Sequence, residues 1–226
     1  MNTITLDTAL GPFIVPETGT VTRALQAGQW WDAHLKPILD EASVGWALDI
    51  GAHIGWFSRY LAERHAVVIA LEPHPETFQL LLQNTRSPHP ETASLVQCWP
   101  LAAHNHPAVL QWDARNHPTD AGGWAYTAEE ASDGVSVLAA PLDRYLPDDA
   151  PIAVIKCDAQ GADLPTLQGL TQTITRCRPL IVFEWEAEMA LWQGDCWDDY
   201  LAFFDALDYT VERITTSYWD YVARPR

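Results

Sequence analysis

Apolar positions along the chain fall into two patterns. Short, nearly continuous apolar runs of strand length occupy 45–50, 67–71, 93–99, 108–112, 135–140, 152–158 and 180–184. Between them, apolar residues recur at helical spacing over about 55–64, 75–84, 163–176 and 197–207. Two further extended runs, 208–214 and 217–223, finish the chain close enough together to form a hairpin. Strands that alternate with helices predict an α/β fold. The expected architecture is a doubly wound, mainly parallel sheet with helices on both faces and one antiparallel strand near the end. Ahead of it, residues 1–20 read as two extended pieces around Gly11-Pro12. Residues 22–41 carry a helical pattern (Leu25, Trp30, Trp31, Leu35, Ile38, Leu39) that is interrupted near Gly28 and Pro37. The division expected is an N-terminal extension or cap, 1–42, and a ligand-binding domain, 43–226. Residues 113–134 show no period, and a long unpatterned segment in a compact domain is expected to act as a binding lid.

The first strongly apolar run ends in Asp49 and leads into Gly51-Ala52-His53-Ile54-Gly55, followed by a helical segment that starts with Trp56. Twenty-one residues after Gly51, at the end of the next apolar run, stands Glu72. This is the layout of a nucleoside-binding strand–turn–helix–strand unit. Glycines allow close backbone approach to a ligand, and an acidic residue about 20 positions on accepts ribose hydroxyls. Ala52-His53 take the place of the middle glycine of Gly-x-Gly-x-x-Gly, which lets backbone approach a pyrophosphate. That absence disfavours NAD and FAD and suits a nucleoside without phosphates, such as S-adenosylmethionine.

The formal net charge is −17, with only two lysines, Lys36 and Lys156. So acidic a chain is a poor partner for nucleic acid or anionic membrane, both of which need neutralising cations. It suits a cationic cofactor or substrate, or plain solubility. No apolar run reaches the roughly 18 residues of a membrane helix. The N-terminus lacks the basic start and apolar core of a signal peptide, so a cytoplasmic protein is expected. Cys98, Cys157, Cys177 and Cys196 are widely spaced, form no Cys-x-x-Cys and are expected to be reduced, buried thiols.

Four segments in order carry a resemblance. They are Leu48-Asp49-Ile50-Gly51-Ala52-His53-Ile54-Gly55, Ala70-Leu71-Glu72-Pro73-His74-Pro75, Ile155-Lys156-Cys157-Asp158-Ala159-Gln160-Gly161-Ala162-Asp163, and Pro179-Leu180-Ile181-Val182-Phe183-Glu184. Over residues 45–185 the chain resembles the FkbM family of S-adenosylmethionine-dependent methyltransferases. The resemblance implies a seven-stranded class I methyltransferase (Rossmann-like) sheet and, most often, O-methylation of small molecules or sugars. Two positions depart from the family pattern. Gln160 stands where the family usually has Glu, and His53 where it often has Asn.

Methyl transfer is an in-line displacement at a sulfonium methyl, so the protein mainly orients its ligands and excludes water. An aliphatic hydroxyl also needs a base. Glu72 is the expected ribose ligand, with a surface ion pair as the alternative. Gly51 and Gly55 are expected to wrap the methionine end, or else to allow tight strand–helix packing. Asp49 binds the cofactor amine or braces the turn. Ala52, His53 and Trp56 lie in the turn, with contact expected through backbone. Pro73 and His74 follow the ribose acid, and His74 flanks adenine or starts a helix. Leu101 and Ala102 follow the third strand, where this fold usually edges adenine.

Asp158 is expected to act as base, substrate contact or cofactor-amine ligand, or to brace its own turn. Glu184 holds the analogous place on the next strand, with pairing to Lys156 or an arginine as the alternative. His104, His106 and His117 flank or lie in the lid segment, and each is a candidate base, with a plain surface histidine as the alternative; His104 is the one carried into the expected catalytic set. Trp112 and Trp124 are candidates to line an aromatic pocket. Asp158, Asp163 and Glu184 offer oxygen ligands, but no compact carboxylate pair follows the fourth strand, and no metal is expected.

The function expected is S-adenosylmethionine-dependent O-methylation of a small-molecule hydroxyl, in a secondary metabolite or sugar, with S-adenosylhomocysteine as product. The alternatives are N- or C-methylation on the same fold and a non-catalytic nucleoside-binding scaffold. The partner expected is a small-molecule acceptor, with neither nucleic acid nor membrane. Trp30 and Trp31 suggest that the N-terminal segment covers the site or forms a homodimer contact.

Overall fold

The computed structural model describes residues 1–86, 96–113, 125–127 and 135–226. The chain opens with an antiparallel hairpin, β1 (Thr3–Thr8) and β2 (Gly11–Pro16). Helix α1 (Thr20–Gln26), a 3₁₀ turn (Ala33–Leu35) and α2 (Lys36–Leu39) follow. Then come β3 (Trp46–Ile50), α3 (Trp56–Ala62), β4 (Val67–Leu71), α4 (Pro75–Thr85) and β5 (Val96–Trp99). Four short strands come next: β6 (Ala102–Ala103), β7 (Ala108–Asp113), β8 (Ala125–Thr127) and β9 (Ser136–Ala140). The last part holds β10 (Ile152–Cys157), α5 (Asp163–Gln168), α6 (Thr171–Cys177), β11 (Leu180–Glu184), α7 (Ala187–Trp192), α8 (Trp197–Ala206), β12 (Tyr209–Arg213) and β13 (Asp220–Pro225).

Seven strands form one sheet in the order β12-β13-β11-β10-β3-β4-β5. Five are parallel, and β13 runs antiparallel to both neighbours. The order reverses between β3 and β10. In open α/β sheets such a reversal leaves a crevice outside the C-terminal strand ends, where ligands bind.

The period-2 alternation of strand side chains explains why these runs are apolar throughout. Leu48, Ile69, Ile155, Ile181 and Phe183 point to one face and pack with Leu164, Leu167, Ile174 and Phe204 of α5, α6 and α8. Ala47, Val68, Val154, Val182 and Val222 point to the other and pack with Phe57, Tyr60 and Leu61 of α3. Phe13, Val15, Val21, Leu25, Leu35 and Leu39 belong to that second cluster, so residues 1–42 share the core of one sheet face. Trp30 packs edge-on against Trp56 and Tyr60, at ring distances of 5.0 and 5.4 Å.

Three features differ from the sequence expectation. A second sheet, β6-β9-β7-β8, forms from segments too short for a clear period. The helix expected over 163–176 breaks at Gly169, where a Cβ would stand 2.1 Å from the His104 carbonyl oxygen. Helix α7 fills a stretch for which no element was expected. Of the segment expected as a lid, only the backbone of Asp113 and β8 is described, and β8 pairs with β7. His117, Trp124 and the side chain of Trp112 lie outside the described residues, as do residues 93–95 of the third strand.

All four cysteines are free, but Cys157 alone is fully buried, and Cys196 is exposed at the start of α8. Among the described residues, no helix is long and apolar enough to cross a membrane.

Candidate active site

The C-terminal ends of β3, β4, β10 and β11 open into a cavity of about 570 Å³. Its floor is the turn after β3. Gly51 has φ +72°, and a Cβ there would stand 1.9 Å from the Asp158 carbonyl oxygen. Only glycine fits this position, because the backbone is left-handed and the β10 end lies against it. Gly51→Ala is expected to cost about 1–3 kcal/mol in urea unfolding; an unchanged midpoint would contradict this contact. Gly55 follows the packing alternative, although the element it meets is a helix rather than a strand. It starts α3 at φ +88°, and its free face meets Leu81 and Thr85 of α4 rather than the cavity.

Glu72 follows β4 and is 8% exposed. Its two oxygens accept the backbone N–H groups of His53 (3.0 Å) and His74 (2.8 Å). This clamps the carboxylate across the turn and leaves lone pairs on each oxygen. Burial lifts its pKa to about 7, against the pull of those two N–H groups. Ala52, His53, Trp56, Pro73, His74, Leu101 and Ala102, all named from the sequence, line the same cavity.

Asp49 is fully buried. Ser58 donates to its Oδ2 at 2.5 Å, while Oδ1 has no hydrogen-bond partner among the described residues. The nearest cation is the Lys156 ammonium, 3.9 Å from Oδ1 and 3.2 Å from Asp158 Oδ2. Lys156 is 4% exposed. Burial opposes its charge, but Asp158 and Asp49 outweigh burial and hold it protonated.

Asp158 and Glu184 stand side by side at the ends of β10 and β11. Gln160 Nε2 donates to both, 2.8 Å to Asp158 and 3.1 Å to Glu184. Gln160 is thus a neutral amide that bridges two carboxylates. Burial raises Asp158, but Lys156 and the Gln160 amide outweigh it and hold it below the ordinary carboxylate range. Burial, then repulsion from Asp158, Asp163 and Asp220, pushes Glu184 well up. Asp163 is fully buried and accepts the Ala159 and Glu184 N–H groups, which makes it a brace for both strand ends. Burial lifts it to about 7. Among the described residues, no group of three or more His, Cys, Asp or Glu side chains is arranged to hold a metal.

The raised carboxylates give stability a definite slope. Glu72 and Asp163 keep protons in the folded chain that free carboxylates release near about pH 4. That contribution is full below the ordinary carboxylate range and is lost as pH rises through about 7. Asp158 acts oppositely, but its window lies below the ordinary range. The thermal midpoint of the ligand-free protein is expected to fall between about pH 5 and about pH 7.5. Glu72→Gln should flatten the fall, and a midpoint that climbs over this interval contradicts the assignment.

His104 corrects the sequence expectation. Strand β6 pairs with β9, and this carries His104 towards Gly169 at the end of α5, away from the cavity lining. Its ring packs edge-on against exposed His106, 4.5 Å away.

Trp31 lines the cavity, in line with the expectation that the N-terminal segment covers the site. Sequence reasoning missed the rest of the far wall: Asp32 and His34 of the same segment line the cavity, as do Glu186 and Trp219-Asp220. His34 Nε2 lies 2.6 Å from Asp220 Oδ2, which also accepts the Ser217 hydroxyl at 2.7 Å. Asp32 sits between these groups. Burial, Asp158 and Asp220 raise it to about 6, against Lys156 and His34. One available signal was the final hairpin: the first residue of an antiparallel strand lies at the end where its parallel neighbours finish. The strand was expected to begin at 217, which placed Asp220 inside it.

A protein-family model described as the methyltransferase FkbM domain matches residues 49–211. A crystal structure of methyltransferase FkbM from Methylobacillus flagellatus KT superposes with a TM-score of 0.55 at 18% identity. The match covers 80% of this chain and 43% of that one. A Staphylococcus aureus protein described as a 'putative caffeoyl-CoA O-methyltransferase' superposes at 0.50 with 12% identity, covering 94% of this chain and 86% of that one. These likenesses establish the shared fold. No curated protein matches the chain. The family model covers well over half of the residues and begins at Asp49, the carboxylate of the cavity floor, so the chain belongs to the FkbM methyltransferase family.

Proposed function

We propose that the protein transfers the methyl group of S-adenosylmethionine to a hydroxyl of a small molecule, such as a secondary metabolite or sugar. The observation that carries this is a cavity lined by two chemically different sets of residues. The first set is Asp49, Gly51 and Glu72; the second is Asp158, Glu184, Trp31 and Asp220. The first set fits the cofactor. The buried Asp49 Oδ1 without a hydrogen-bond partner suits an ammonium, and the clamped Glu72 suits a ribose diol. Leu101 and Ala102 offer an apolar edge for adenine. The cofactor supplies the electrophilic methyl, and the chain's own residues hold it, orient it and keep water out.

The second set suits a polyhydroxylated acceptor. Carboxylates accept from hydroxyls, and the Trp31 and Trp219 rings offer flat apolar walls. The test is incubation with methyl-labelled S-adenosylmethionine and a panel of sugars, phenols, amines and activated-carbon acceptors, read by mass spectrometry. Label on oxygen is expected. Label only on nitrogen or carbon would move the protein to another acceptor class, and failure to bind the cofactor would favour a scaffold.

A further inference from the structure

The geometry points to His34, held by Asp220, as the base that takes the proton from the acceptor hydroxyl. This rests on the O-methylation reading above. The two residues come from opposite ends of the chain. His34 lies on the 3₁₀ turn between α1 and α2, and that turn is anchored by buried Leu35. Asp220 begins β13 and is the direct cross-strand partner of Glu184. Because β13 is antiparallel, its first residue stands at the sheet edge where β10 and β11 finish. Asp220 therefore holds the imidazole near the strand ends that carry Asp158 and Glu184, in the lining of the same cavity.

A carboxylate only accepts hydrogen bonds, so the Nε2 that meets Asp220 at 2.6 Å carries the hydrogen. In the neutral ring that leaves the lone pair on Nδ1. This is the arrangement in which a carboxylate fixes the tautomer of a histidine base and stabilises the imidazolium it becomes. The step balances. The acceptor O–H bond breaks and its proton passes to His34 Nδ1. The oxygen forms the new bond to the methyl carbon. The carbon–sulfur bond breaks with its electron pair going to sulfur, which leaves S-adenosylhomocysteine.

The other candidates are less suited. Asp158 is tied to Lys156 and Gln160, Glu184 is pushed towards keeping its own proton, and His104 is outside the cavity. The charged groups shown to act with His34 are Asp220 on β13 and Asp32 on its own segment, and Asp32 in turn feels Asp158 and Lys156 of the β10 end.

Two measurements on the full-length protein test this. The first is nitrogen NMR of ring-labelled histidine in the S-adenosylhomocysteine complex at about pH 8. A neutral His34 ring with hydrogen on Nε2 and a bare Nδ1 is expected. A doubly protonated ring, or hydrogen on Nδ1, would overturn the proposal with or without a known acceptor. The second uses an acceptor from the panel above. His34→Gln should lower kcat by about hundredfold or more and abolish the rising limb of the pH–rate profile. KM and S-adenosylhomocysteine affinity should stay within about threefold, which shows that fold and cofactor site survive. Asp220→Asn should lower kcat in the same direction, and exposed His106→Gln should leave it unchanged. Oxygen methylation with undiminished kcat in His34→Gln would sink the base assignment alone. Label on nitrogen or carbon would sink the O-methylation reading instead.

Discussion

Lys156→Met is expected to lower stability by about 3–5 kcal/mol, the usual cost of leaving a buried charge without its partner. Methionine keeps the apolar stem but removes the ammonium that lies 3.2 Å from Asp158 and 3.9 Å from Asp49. Asp49 would then keep only its hydrogen bonds from Ser58, and two carboxylates would face each other with no buried cation between them. For a chain of this size the thermal midpoint should drop by roughly 2–4 °C per kcal/mol. The deficit should shrink at low pH, where both carboxylates take up protons and the uncompensated charge disappears. Urea unfolding at two pH values checks this. A loss below about 1 kcal/mol, the range of an exposed pair, would mean that Lys156 does not hold the two strand ends together.

Glu72→Ala is expected to weaken S-adenosylmethionine binding by about tenfold to a thousandfold, or about 1.4–4 kcal/mol. The two oxygens are already fixed by the His53 and His74 N–H groups, so a ribose diol meets a carboxylate that loses little freedom on binding. Alanine removes that acceptor and also orphans two amide donors. Thermal unfolding of the ligand-free variant separates the two effects: a modest loss of stability with a large loss of affinity supports the ribose role. Unchanged affinity by calorimetry would leave Glu72 as a brace for the turn.

The parts legible in the sequence are those where one residue type answers one local constraint. Gly51 reports a left-handed turn pressed against β10. Glu72 reports a carboxylate at a strand end. The alternation that sends Leu48 to one face and Ala47 to the other predicts a sheet covered on both sides. What escaped notice depends on contacts between distant segments. His34 and Asp220 stand 186 positions apart, and neither belongs to a local motif. Their meeting is decided by the antiparallel last strand and by an N-terminal segment that packs into the core. His104 shows the converse. It follows the third strand in sequence, yet the pairing of Ala102-Ala103 with Ala139-Ala140 turns it aside. Gln160 was visible as a departure from the family pattern. Its use as a bridge between Asp158 and Glu184 required the two strand ends to be seen together.

The most direct test of the central claim is calorimetric titration of wild-type protein and Glu72→Ala with S-adenosylhomocysteine and S-adenosylmethionine. Samples should first be shown free of copurified ligand. The account predicts one cofactor molecule bound per chain in the wild type, with affinity weakened by about tenfold or more in the variant. No binding of either ligand by ligand-free wild-type protein would contradict it.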